Sequence, residues 1–81
     1  MWLDHARALG HAAEAIRGGE DIAAATATAT AAILDAGFAT VDYVAVRAAA
    51  NLQPVVTYDG NQRILAAAWL GDVRLIDNMA V

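Results

Sequence analysis

The pair Gly71-Asp72, set between two apolar runs, constrains the fold of this chain more than any other feature. Two-residue hairpin loops demand a left-handed first central residue, and glycine adopts that conformation without a steric penalty. Gly71-Asp72 therefore predicts a type II′ hairpin between a strand over Arg63–Leu70 and another over Val73–Asn78. The turn also sets the register. Leu70 faces Val73, Trp69 faces Arg74 and Ala68 faces Leu75. One sheet face then carries Ile64, Ala66, Ala68, Leu70, Val73 and Leu75. The other carries Leu65, Ala67, Trp69, Arg74 and Ile76. Both faces are largely apolar, so a cover on one side leaves the other in need of another domain, a partner chain or tolerated exposure.

The rest of the chain supplies one cover. Leu9, Ala13 and Ile16, with Trp2 and Ala6 before them, recur at helical spacing from Trp2 to Arg17. Gly18-Gly19 stops that helix. Asp21 can cap a second helix reaching Ala36, with Ile22, Ala25, Ala29, Ile33 and Ala36 on one face and Gly37 as its stop. The alternation Ala25-Thr26-Ala27-Thr28-Ala29-Thr30-Ala31 also fits a strand. Length and the alanine-rich flanks favour the helix. From Thr40 the period becomes two, and Val41 to Val46 reads as a strand. Ala48 to Tyr58, with Pro54, reads as a connection holding a short extended piece at Val55-Val56, and Asp59-Gly60-Asn61 as a turn. The expected class is α+β, two N-terminal helices packed on a three-stranded antiparallel sheet in two layers.

Composition narrows the function. Eighty-one residues make one small domain, 59% hydrophobic and 17% charged. That is too apolar for a disordered tail and high for a free-standing domain of this size. There is no cysteine, so disulfides and thiolate metal sites are excluded. A net charge of −4, with no lysine, argues against nucleic acid or an anionic membrane as a partner. No segment reads as a membrane span or signal peptide, and a cytoplasmic protein is expected.

No catalytic constellation assembles by spacing. His5 and His11 are six residues apart, on different sides of a helix, and read as surface or helix-end histidines. Threonines and the two tyrosines lack a neighbouring base, and the scattered glycines form no phosphate loop. Trp69 opposite Arg74 reads as packing, with a cation–π pair or a ligand platform as alternatives. Arg74 can pair with Asp42 or Asp77, Asp72 serves the turn, and Asn78 can cap the strand end or face a cleft.

The run Ala66-Ala67-Ala68-Trp69-Leu70-Gly71-Asp72-Val73-Arg74-Leu75-Ile76-Asp77-Asn78 resembles the C-terminal signature of the pantothenate synthetase family, also called pantoate–β-alanine ligases. Val41-Asp42-Tyr43-Val44-Ala45-Val46-Arg47 resembles an upstream strand of the same family, with Ala45 where an acidic residue is often found. The resemblance implies that residues 1–81 are a C-terminal lid domain, with Met1 added where the segment was severed from its parent. The implied parent is a cytoplasmic, homodimeric enzyme that uses ATP and magnesium to join pantoate to β-alanine through a pantoyl-adenylate. Its nucleotide-binding N-terminal domain is the implied partner. The family's His-x-Gly-His motif and Lys-Met-Ser-Lys-Ser-like loop are absent from this sequence. No catalytic, cofactor-binding or metal residue is therefore assigned in this chain, and it is expected to be inactive alone. The implied working part of the lid is its helix–sheet edge.

Two rival readings accompany this one. The first is a stand-alone interaction module that self-associates through its second sheet face, as an excised lid would also be expected to do. The second is a regulatory domain binding a small molecule between the helices and Trp69.

Overall fold

The computed structural model describes residues 2–51, 53, 55 and 60–81, with the side chains of residues 2 and 3 outside the description. The expected contribution of Trp2 to the first helical stripe lies outside it. So do Pro54, Val56 of the expected extended piece, and Asp59 of the expected turn. The elements run α1 (Trp2–Arg17), α2 (Ile22–Asp35), β1 (Thr40–Ala48), β2 (Gln62–Leu70) and β3 (Val73–Ala80). The strands form one antiparallel sheet in the order β1-β2-β3. Both helices lie on one face of it, which is the expected two-layer α+β arrangement.

Local chemistry accounts for the helix ends. Asp21 sits in extended backbone, and its Oδ2 accepts from the Ala24 N–H at 3.1 Å, satisfying one free donor of the first turn. At the far end of α1, Gly19 has φ +103°; its N–H donates to Ile16 O and the Glu20 N–H to Ala15 O. Gly37, with φ +108°, repeats the pattern after α2, through Leu34 O and then Phe38 N–H to Ile33 O. Both are Schellman endings, and the second adds the usual apolar contact, since Phe38 and Ile33 are buried in one cluster.

The Ala-Thr run is helical. Hydroxyls of Thr26, Thr28 and Thr30 donate back to the carbonyls of Ala23, Ala24 and Thr26 at 2.9–3.1 Å. The threonines thus spend their polarity on their own helix. The buried face is the 3.6-period set Ile22, Ala25, Ala29 and Ile33.

The hairpin register agrees with the expectation from the turn: Leu70 pairs with Val73, Trp69 with Arg74 and Ala68 with Leu75. Gly71 has φ +63°. Val73 has the parity of the covered face yet is 55% exposed, because it lies at the hairpin tip. β1 contains an irregularity. Val41 pairs with Ala68 and Tyr43 with Ala67, leaving Asp42 as an extra residue. That bulge puts Val41 in phase with Val44 and Val46, so the simple alternation expected for this strand holds only from Tyr43 onward.

The core is alanine-dense. Leu9, Ile16, Ile33 and Ile64 are its large fully buried apolar side chains, set among Ala13, Ala25, Ala29, Ala66 and Ala68. Small side chains let α2 approach β1, and α1 approach β2 and β3, closely. Ala67 points away from the helices yet is also fully buried. It lies low between Tyr43 and Ile76, its cross-strand neighbours.

Candidate functional site

Three places on the described residues have the shape or chemistry of a site. The first is the helix-free sheet face. The β1 bulge places Asp42 where its Oδ2 accepts from Trp69 Nε1 at 3.2 Å and from Arg74 Nε at 2.9 Å. Trp69 and Arg74 thus meet as two donors to one carboxylate oxygen. Of the two acids available to Arg74, Asp42 is the one used. Asp77 instead accepts from the Asn78 backbone N–H at 2.8 Å. Further along, Arg63 Nε donates to Asn78 Oδ1 at 2.8 Å, so Asn78 ties two strands together. This face is therefore more polar than its sequence pattern suggests, although Ile76 remains 62% exposed.

The Arg74 and Asp42 side chains are 40% and 37% exposed, and water screens such a pair. A double-mutant cycle with Asp42→Asn and Arg74→Met is expected to give a coupling of about 0.2–1 kcal/mol in urea unfolding. A coupling near 3 kcal/mol would mean a far drier pair.

The second place is an open groove of about 420 Å³ at the helix–sheet edge. Its walls include Asp21, Ile22 and Thr26 from the start of α2 and Val44 and Val46 from β1, and it reaches round the outer edge of that strand to Ala45 and Arg47, whose phase is that of the other face. The third is a smaller cleft of about 90 Å³ between the helices, edged by His11, Glu20 and Thr28 over an alanine floor. Trp69 belongs to neither. It lies on the opposite side of the sheet from both helices, so a ligand held between helices and Trp69 has no place in this fold.

One residue departs from its sequence expectation. His5 is fully buried, not at the surface. Its ring lies 5.5 Å from that of Phe38, and neither ring nitrogen has a hydrogen-bond partner among the described residues. Burial pushes the His5 pKa below the ordinary histidine value, while the Asp77 carboxylate raises it in part. The signal was present: His5, Leu9, Ala12 and Ile16 share helical spacing, and all four are buried. His11, by contrast, is exposed as expected. Among the described residues, no group of three histidine, aspartate or glutamate side chains is placed to hold a metal ion. No described helix is long and apolar enough to cross a membrane.

Comparison with known proteins adds what geometry alone does not. The chain is 56% identical over 75 residues to a pantothenate synthetase of Rhizorhabdus wittichii, covering 93% of this chain and 27% of the relative. It is 55% identical over 75 residues to the pantothenate synthetase of Cereibacter sphaeroides, with the same coverage of each. Among solved structures, the pantothenate synthetase of Thermus thermophilus superposes with a TM-score of 0.79 at 28% identity, over 91% of this chain and 27% of that one. The chain thus spans about a quarter of the length of the relatives it matches. The profile described as pantoate-beta-alanine ligase matches residues 3–80, nearly the whole sequence, and the chain belongs to that family.

Proposed function

We propose that this chain is the C-terminal lid domain of a cytoplasmic ATP-dependent ligase that joins pantoate and β-alanine through a pantoyl-adenylate. The observation that carries the reading is the pairing of a family match over residues 3–80 with coverage of only 27% of the relatives. The family's chemistry then resides in the part of the parent that this segment lacks, with ATP and magnesium bound there. The parent's N-terminal domain is the lid's partner. The groove between α2 and β1 is the helix–sheet edge that would meet it.

A lid contributes by closure. It keeps water from an adenylate that would otherwise hydrolyse, and it holds the second substrate in line for attack. A full-length ligase carrying this segment is expected to make about one pantothenate per ATP cleaved. The same enzyme truncated before this segment should still release pyrophosphate from ATP and pantoate but lose most amide formation, with the adenylate lost to water. The 81-residue chain alone should show no pyrophosphate release. Adenylation by the isolated chain, or undiminished coupling in the truncated enzyme, would sink the proposal.

The isolated domain is also proposed to self-associate, because Ile76 on the helix-free face stands 62% exposed. Light scattering should show a mass that rises with concentration and falls back in Ile76→Asp. A monomer at millimolar concentration contradicts this.

A further inference from the structure

We infer that Arg47 and Arg63 form an oxyanion-binding site on the helix-free sheet face. This inference is independent of the ligase reading.

The register puts the two residues directly opposite one another, Arg47 on β1 and Arg63 on the central strand β2. Directly opposed residues of an antiparallel pair have Cβ atoms about 4.5–5.5 Å apart, and like charges at that separation destabilise the sheet. The phase of the strands fixes the face. Val46 and Ile64, the preceding and following partners, are buried beneath the helices, so Arg47 and Arg63 project to the other side.

The juxtaposition is unusual for this chain, whose net charge is −4 and which has only five cationic side chains. Acids are plentiful, yet the ion pair found among the described residues is Arg74 with Asp42, toward the hairpin end of the sheet. No described carboxylate side chain lies within ion-pairing distance of Arg47 or Arg63.

Arg63 is held in place. Its Nε donates to Asn78 Oδ1 at 2.8 Å, which restrains the guanidinium, and its two terminal amino groups have no hydrogen-bond partner among the described residues. Both arginines are half-buried, so their stems rest on the sheet and only the charged heads are presented. Two planar cations side by side, one of them oriented, suit the oxygens of a phosphate or carboxylate. A bound oxyanion would also relieve their mutual repulsion.

The test uses the 81-residue chain with arginine Nε–Hε signals followed by NMR. Inorganic pyrophosphate is titrated at constant ionic strength held with sodium chloride, and succinate is titrated in parallel. The expected result is a saturable shift of the Arg47 and Arg63 signals with pyrophosphate, while Arg74 stays still. Arg47→Met, which keeps the apolar stem, should weaken binding by at least about tenfold. Arg63→Met should do the same. Saturation by pyrophosphate alone identifies a free phosphate ligand. Saturation by succinate as well identifies a site for any oxyanion, including carboxylates on a protein surface. A shift that rises linearly with both anions, or saturation that survives either substitution, overturns the proposal.

Discussion

Ile64→Ala is expected to leave the 81-residue chain largely unfolded at 25 °C. Ile64 sits on the central strand, fully buried, with Val46 and Met79 as its cross-strand neighbours and Leu9 and Ile16 in the same cluster. Truncating such a residue costs about 2–5 kcal/mol, and the cost is highest where the surroundings cannot collapse into the cavity. Here they cannot. The adjacent small positions are Ala12, Ala13 and Ala66, which have no side-chain freedom with which to fill the space. A core of this size supplies only about 3–5 kcal/mol in total, so the loss is comparable to the whole.

Urea or thermal melts followed by circular dichroism would check this. Ile64→Val gives a measurable intermediate, expected to cost about 0.5–1.5 kcal/mol. Ile76→Ala is the control on the opposite face, with an expected change within about 0.5 kcal/mol. A loss below about 1 kcal/mol for Ile64→Ala would mean that the helices settle onto the sheet more readily than close packing allows.

The contrast between Ile64 and Ile76 was readable from sequence. Gly71-Asp72 sets the hairpin register, and the register alone sorts the two isoleucines onto opposite faces. The helices were equally legible, because their punctuation is chemical: Asp21 as cap, Gly19 and Gly37 as left-handed stops. Two things were not legible, each for a physical reason. The β1 bulge depends on Asp42 being drawn toward Trp69 and Arg74, which lie 27 and 32 residues away in sequence. No local period records them. Burial of His5 left a helical-spacing signal, but spacing does not say how wide an α1 stripe the sheet and α2 together cover. The resemblance singled out only the helix–sheet edge and assigned no site residue. The opposition of Arg47 and Arg63 required the β1–β2 register, and that register follows a long connection whose turn signal, Asp59-Gly60-Asn61, does not fix a strand pairing as a two-residue hairpin loop does.

The buried imidazole makes acid sensitivity the second large effect. Folding lowers the His5 pKa, through desolvation that Asp77 only partly offsets. Above the unfolded-state value of about 6.5 the ring is neutral in both states, and its titration costs the folded state nothing. As pH falls below that value the unfolded chain takes up a proton that the folded chain refuses. Stability should then decline by up to about 1.4 kcal/mol per pH unit, until the folded-state pKa is reached.

His5→Leu removes both the titration and a buried ring with unpartnered nitrogens. It is expected to raise stability by about 1–3 kcal/mol near neutrality, and to flatten the decline between pH 6.5 and the folded-state pKa. Asp77→Asn should act the other way. Without its carboxylate the folded-state pKa of His5 drops further, so the decline continues to lower pH. The decisive measurement is the difference between the wild-type and His5→Leu unfolding free energies from pH 8 to pH 4. Protonation of the carboxylates contributes to both curves and cancels. A difference that stays constant across that range would show that the proton enters the folded chain as easily as the unfolded one, and that His5 reaches water.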